Sequence, residues 1–446
     1  MTPPLNIVGQ SVPRSDGVGH VTGETRFTTD RTFPGLLHLK VVRSPVHHAR
    51  IRGVDLTEAE RVPGFVRALT YADVPHNVYT ILGLIGVEPE EEYVLAEDRV
   101  RYKGEPIVAI VAESEDAALD AVARVKLDLE ELPAVFDVEE ALRPGAPIVT
   151  HWGNNTFMYE GHPCRRVRFG DVEAAFARAD HIVEGVYNTK PIEQAPTETT
   201  SCIAVPEANG RFTVYTNTQA LYFSLDNTSI ILQVPGNQLH FVGGTVGGGF
   251  GGKVDVIVEP IACIAAMATN RPVKYVYDRI EEMQASSPRA AEILVVKDGV
   301  MNDGRIIARK VTAYMEAGAY TGHTTYAVTK CAAHMPGPYA IPNVWVDGYC
   351  VYTNRTPTGP MRGFGVTVAD FALETQMDRI ARELDMDPLE LRLKNAYRDG
   401  DLKAHRKLTE GAALVEVIQR AAELVDHDLP ESYRKMSSST HEGMTT

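Results

Sequence analysis

The sequence predicts an α+β chain of two or more domains, and three observations carry that expectation. The first third alternates short strand-like runs with turn signals. Strand patterns dominate from about Ile182, and helical stripes return only near the C-terminal end. At 446 residues the chain is also long enough to bury more than one core.

Each element follows from its residues. Segments 37–42 and 107–111 are apolar runs of strand length bounded by turn residues. Ser114 offers a cap oxygen, and Glu115 and Asp116 lie at the positive end of an Ala-rich helix running through Arg124. From Leu132-Pro133 to Pro147 the chain is rich in proline and acid, a linker pattern. Segments 183–187 and 211–216 alternate as half-buried strands. A strand at 239–242 leads into a glycine-rich loop, with a helix at 258–269 and a strand at 273–277 after it. Further strands surround 343–352. Met377, Ile380, Ala381 and Leu384 fall on one face of a helix at 370–384, and a second helix is expected at 412–425. Residues 437–446 are small and polar and are expected to be disordered.

Composition excludes several functions. Hydrophobic residues make up 44% and charged residues 23%, with a net charge of −15. That charge steers the chain away from nucleic acid and anionic membranes. No apolar run reaches the roughly 18 residues of a membrane span, and the N-terminus lacks signal-peptide regions, so a cytoplasmic location is expected. The five cysteines (Cys164, Cys202, Cys263, Cys331 and Cys350) show no CxxC grouping. That spacing carries no iron–sulfur or zinc ligand run, and buried apolar thiols are expected.

The sharpest feature is Val246-Gly247-Gly248-Gly249-Phe250-Gly251-Gly252-Lys253. Five glycines in six positions leave a backbone that a ligand can approach closely. Gly247-x4-Gly252-Lys253 fits the start of a P-loop, but Val254 stands where a magnesium-binding hydroxyl is required, which removes the ATPase reading. Gly247-x-Gly249-x-x-Gly252 also fits a dinucleotide fingerprint, with a strand before it, a helix after it and Asp278 closing the next strand. On pattern alone an NAD-dependent dehydrogenase leads, against a purely structural turn. The extra Gly243-Gly244-Thr245 and the mid-chain position both weaken it.

A second segment, Thr353-Asn354-Arg355-Thr356-Pro357-Thr358-Gly359-Pro360-Met361-Arg362-Gly363-Phe364-Gly365, sets an arginine and an aromatic among glycines. Together the two loops resemble the molybdopterin-binding subunit of the xanthine dehydrogenase / aldehyde oxidase family. Arg14-x-Asp16-Gly17, Val21-Thr22-Gly23, Gly35-Leu36-Leu37-His38 and Arg43-Ser44-Pro45-x-x-His48-Ala49-Arg50 resemble its hammerhead domain in the expected order. Thr218-Gln219, the two glycine loops, Asp387-Pro388-Leu389-Glu390-Leu391-Arg392-x-Lys394-Asn395 and Asp399-Gly400-Asp401-Leu402 resemble the first half of its molybdopterin-binding domain. The resemblance implies a hammerhead-type α/β domain at 8–133, a linker at 134–149, the molybdopterin-binding half at 150–429 and a disordered tail at 430–446. It also makes the adjacent His47 and His48 structural rather than metal-binding.

The same resemblance implies site roles. Gln219, Gly248, Gly249, Phe250, Gly251 and Arg362 would hold the molybdopterin. Gln219, Phe250 and Arg362 would lie near molybdenum without being ligands. Val254, Lys330 and Phe364 would face substrate: Phe364 stacks on a flat ring, and Lys330 stands where purine-oxidising relatives carry an arginine. Val254 replaces their substrate-binding glutamate, which disfavours xanthine. Gln194 departs from the usual histidine with no clear consequence.

The resemblance also implies what is missing. The second molybdopterin half and the glutamate serving as general base have no counterpart after Phe364, so no catalytic base is expected on this chain. The polar ending suggests a natural terminus, and hence a split enzyme of the nicotinate dehydrogenase type. Its partners would be a second molybdopterin-binding subunit, an Fe–S subunit and an FAD subunit. The cofactor would be molybdopterin in its cytosine dinucleotide form with molybdenum. The reaction would oxidise an N-heteroaromatic, nicotinate-like substrate with oxygen from water, with aldehyde or purine oxidation as alternatives.

Overall fold

The computed structural model describes residues 7–82, 91–159, 161–163 and 165–439. Its largest sheet has seven strands in the order Leu239–Gly243, Phe212–Thr216, Ser201–Pro206, Val273–Val276, Leu37–Arg43, Pro106–Ala112 and Phe65–Leu69. Three N-terminal strands and four later ones thus share one sheet. The seam is parallel, pairing Leu37 with Val273 and Leu39 with Tyr275. The central strands are buried on both faces: Leu37, Val108, Ile110, Ile203 and Tyr275 have no more than 1% exposure. Continuous apolar runs of this kind are what a twice-covered strand requires.

Around that sheet the N-terminal part adds a three-stranded sheet, Arg99–Val100, Ala49–Asp55 and Lys126–Glu131. Helix Glu115–Arg124 packs nearby, and Ala121 joins the core of Val42, Ala49, Val108 and Ile110. Ser114 caps this helix by accepting from the Ala117 amide at 3.2 Å, as its sequence position predicts. The region at 134–149 is a packed strap rather than a loose tether. Val135, Val138, Ala141 and Val149 are buried, and the Val135 amide donates to Asn354 Oδ1.

A second sheet of five strands runs His181–Thr189, Glu292–Val300, Ile306–Gly318, Val344–Tyr352 and Arg165–Phe169. The helices Thr324–His334 and Val366–Glu383 cover it. Met377, Ile380 and Ala381 are buried as their spacing predicts. This helix starts at Val366, four residues earlier than the sequence pattern suggested, because Gly365 with φ +85° turns the glycine segment straight into it.

The expectation of disorder from 430 onward is corrected up to residue 439. Residues Glu431–Arg434 form a short helix, and Tyr433 and Met436 pack on Leu393, Val415 and Ile418. Ser438 is fully buried, its carbonyl accepting from the Asp399 amide and its hydroxyl from the Val415 amide. Polar composition misled here because the small side chains satisfy backbone groups. Residues 440–446 lie outside the described residues. Among the described residues, no helix is long and apolar enough to cross a membrane.

Candidate cofactor and substrate site

The glycine loop leaves the edge strand Leu239–Gly243 and folds against two neighbours. One is Gln219, two residues before helix Leu221–Leu232. Its backbone N–H donates to the Lys253 carbonyl at 2.8 Å, and its side-chain oxygen accepts from the Gly251 amide at 2.9 Å. The side-chain oxygen is committed to the loop, so the NH2 end is the part left for a ligand. A Cβ at Gly249 would lie 2.5 Å from that oxygen, so glycine is required for the fit.

The other neighbour is the segment 360–365. The Arg362 amide donates to the Phe250 carbonyl at 2.9 Å, joining the two glycine segments directly. Gly251 has φ +104°, and a Cβ there would sit 2.4 Å from the Pro360 carbonyl oxygen. Phe250 and Phe364 both take left-handed backbone, with φ +51° and +43°. Non-glycine residues hold that conformation only where surrounding contacts impose it, a pattern typical of functional loops. The N–H groups of Gly248, Gly249 and Phe250 donate to no acceptor among the described residues. A run of free N–H groups on a curled loop attracts electron-rich atoms.

Lys330 lies on the exposed side of helix Thr324–His334, with its Nζ 5.1 Å from the centre of the Phe364 ring. Gly365 lies so close to the Ala327 carbonyl that any Cβ would clash at 2.3 Å, which docks this helix onto the segment. Val254 continues the loop, its amide bonded to the Gly251 carbonyl at 3.2 Å. The structure therefore joins Gln219 and the glycine loop to the Arg362 segment through direct hydrogen bonds, with Val254 following on the loop and Lys330 beside Phe364 two residues beyond Arg362. Neither Arg362 nor Lys330 has a carboxylate partner among the described residues.

Lys253 behaves differently from a phosphate-binding lysine. Its side chain is fully buried, donating to the Glu198 backbone carbonyl at 2.7 Å and to Glu198 Oε2 at 3.1 Å. Burial pushes its ammonium below the usual lysine range, while Glu198 opposes that shift. Glu198 Oε2 also accepts from the Gly247 amide at 2.7 Å. One ion pair thus ties both ends of the glycine loop. Sequence reasoning missed Glu198, because a partner 55 residues away leaves no spacing signal. It also left Gln194 without a role: its side-chain NH2 donates to the Ser287 and Pro360 carbonyls at 2.9 and 2.7 Å.

The dinucleotide reading fails on geometry. Residues 244–258 separate the strand from helix Glu259–Thr269, so the helix does not start at the loop. The buried Glu259 side chain occupies the helix start, accepting from the Val258 amide and the Thr216 hydroxyl, so it takes the place a diphosphate would need. Strand Val273–Val276 is separated from Leu239–Gly243 by two intervening strands. Asp278 caps its own helix, accepting from the Glu281 amide at 2.7 Å.

Cys202, Cys263, Cys331 and Cys350 are buried free thiols, and Cys164 lies outside the described residues. His47 and His48 bond the Asn354 and Pro133 carbonyls, and no three ligand-type side chains cluster for a metal among the described residues.

Comparison with known proteins agrees with this geometry. The family profile of the molybdopterin cofactor-binding domain matches residues 154–396, and that of the aldehyde oxidase and xanthine dehydrogenase a/b hammerhead domain matches 22–133. The nicotinate dehydrogenase large molybdopterin subunit of Eubacterium barkeri is 32% identical across 94% of this chain and 96% of its own length. The nicotine 6-hydroxylase large subunit of Paenarthrobacter nicotinovorans is also 32% identical, over 96% of this chain but 53% of its own. The aldehyde oxidoreductase structure from Desulfovibrio gigas superposes with a TM-score of 0.89 at 30% identity, covering 95% of this chain and 47% of that one. The chain thus spans nearly all of the first relative and about half of the other two. The chain belongs to the xanthine dehydrogenase / aldehyde oxidase family of molybdopterin-binding oxidoreductases.

Proposed function

We propose that this chain is the large molybdopterin subunit of a multi-subunit hydroxylase acting on an N-heteroaromatic carboxylate of the nicotinate type. The residues present fit the cofactor. The N–H groups of Gly248, Gly249 and Phe250 and the Arg362 guanidinium, without partners among the described residues, and the Gln219 NH2 all suit electron-rich oxo, sulfur and pterin atoms. When bound, the molybdenum group supplies the oxidising equivalent and accepts electrons from the substrate carbon. The chain's own residues bind, orient and shield. Gln219 and the loop amides hold the cofactor face, and Arg362 complements its negative charge.

The observation carrying the substrate class is the Lys330–Phe364 pair. An exposed cation without an acid partner among the described residues stands 5.1 Å from an aromatic shelf, which suits a planar ring bearing a carboxylate. Val254 on the neighbouring loop supplies no carboxylate to hydrogen-bond a purine ring. The catalytic base and the second half of the cofactor cradle are assigned to a second molybdopterin-binding subunit. Electron transfer belongs to an Fe–S subunit and an FAD subunit, and the complex is cytoplasmic. The similarity to the large subunit from Eubacterium barkeri supports this division.

The test is co-purification with the neighbouring gene products, followed by assays with nicotinate, an aldehyde and xanthine. Nicotinate turnover by the complex, none by the isolated chain, and CMP released on acid hydrolysis of the cofactor are expected. Turnover by the single chain, or a preference for xanthine, refutes the proposal. In Lys330→Ala, KM for nicotinate should rise about tenfold while KM for uncharged nicotinamide stays put.

A further inference from the structure

The segments that carry the candidate site residues meet at a buried side-chain pair that no motif announced. Asp255 directly follows Val254, and its Oδ1 is hydrogen-bonded to His323 Nδ1. Their side chains are only 9% and 10% exposed. The other carboxylate oxygen faces Gly359: a Cβ on that glycine would come within 2.4 Å of Asp255 Oδ2. Gly359 precedes Pro360, whose carbonyl oxygen stands against Gly251. Asp255 is therefore wedged between the glycine loop and the backbone leading to Arg362 and Phe364.

His323 reaches the remaining two segments. It is the N-cap residue of helix Thr324–His334, which carries Lys330. Its carbonyl accepts from the Tyr326 and Ala327 amides at 3.0 and 3.3 Å. Its ring lies 5.0 Å from Phe223 on helix Leu221–Leu232, whose start follows Gln219. At the next helical position Thr324 Oγ1 donates to the Thr358 carbonyl at 2.7 Å, locking the same junction. Burying two polar side chains at such a junction costs desolvation, so the worth of their hydrogen bond is geometric definition rather than net stability.

We propose that Asp255 and His323 are positioning residues that hold the Gln219, Val254, Lys330 and Arg362–Phe364 segments in one arrangement and so set the affinity for an anionic planar substrate without touching it. The proposal deepens the functional reading above and rests on it for the substrate class. A coupled, buried junction transmits a small change at one wall of the site to the opposite wall, because packed segments shift as units. Spacing between the Lys330 ammonium and the loop then depends on a pair that lies outside the site.

The experiment uses the assembled complex with Asp255→Ala, Asp255→Asn, His323→Ala and His323→Gln. Hydrogen exchange by mass spectrometry reads the four segments without any substrate. In the alanine variants, exchange should accelerate about tenfold together in 219–225, 250–254, 324–330 and 360–366, with the amide variants restoring protection. With values normalised to molybdenum content, the dissociation constant for nicotinate, measured by calorimetry, should rise about tenfold in the alanine variants and return toward wild type in the amide variants. Acceleration confined to the mutated segment overturns the proposal. So does unchanged nicotinate affinity in an alanine variant. Should Asp255→Ala fail to assemble, Asp255→Asn and His323→Gln carry the same readouts, and separate exchange behaviour of the four segments in them is equally fatal. A wild-type complex that ignores nicotinate sinks the substrate reading, while the exchange data still decide the positioning role.

Discussion

Replacing Lys253 by methionine distinguishes a structural clamp from a phosphate-binding lysine. The ammonium has no exposed surface, and its acceptors are both on Glu198, the backbone carbonyl at 2.7 Å and Oε2 at 3.1 Å. Lys253→Met removes both bonds and leaves the carboxylate held by the Gly247 amide, with Oε1 already unpartnered. Stranding one member of a buried pair costs about 3–5 kcal/mol, and the 10% exposure of Glu198 places this case at about 3 kcal/mol. Neutralising the survivor in Lys253→Met/Glu198→Gln should recover about 2 kcal/mol as coupling energy. Urea unfolding of wild type, both single variants and the double variant completes the cycle. The loop should also loosen, lowering cofactor retention in the single variant. Additive single-site losses would refute the clamp. A stable Lys253→Met chain that had lost affinity for a nucleotide diphosphate would revive the phosphate reading.

Other expectations follow from single contacts. Gly251→Ala places a Cβ 2.4 Å from the Pro360 oxygen on a residue with φ +104°. The strain and the lost link between Phe250 and Arg362 should cost about 2–3 kcal/mol, and metal analysis should show less molybdenum per chain. Glu292 is 1% exposed, its Oε2 has no partner, and burial pushes its carboxyl from 4.5 up to about 8. The folded chain therefore holds that proton more tightly than the unfolded chain. The associated stability is complete below pH 4.5 and is lost as pH rises through about 8, at about 1.4 kcal/mol per pH unit between those values. Glu292→Met should remove this slope, so its advantage over wild type in urea unfolding grows from pH 5 to pH 8; parallel curves would contradict the assignment. Asp298→Ala strands Arg309, fully buried and bonded to both carboxylate oxygens at 2.8 and 3.2 Å, and should cost about 3–5 kcal/mol in the same unfolding assay.

Local signals were the legible part of this chain. The Ser114 cap, the strand at 239–243 and the Met377–Ile380–Ala381 face all follow from residues within one or two turns. The two glycine segments were visible as motifs, and their juxtaposition followed from resemblance rather than spacing. Pairings across long separations left no trace. The seam between Leu37 and Val273, the Glu198 partner of Lys253 and the Asp255–His323 junction each join residues far apart in sequence. Such contacts depend on strand order, and one strand pattern is compatible with many orders. The dinucleotide reading went astray for the same reason. Its strand, loop and helix are present, but the loop is long, an acid fills the helix start and two strands intervene.

Molybdenum and pterin analysis of the natively purified complex tests the central claim most directly. The glycine loop, Gln219 and Arg362 predict about one molybdenum and one pterin per copy of this chain, with no bound nicotinamide dinucleotide. A complex free of molybdenum and pterin, or one that carries NAD in their place, would contradict it.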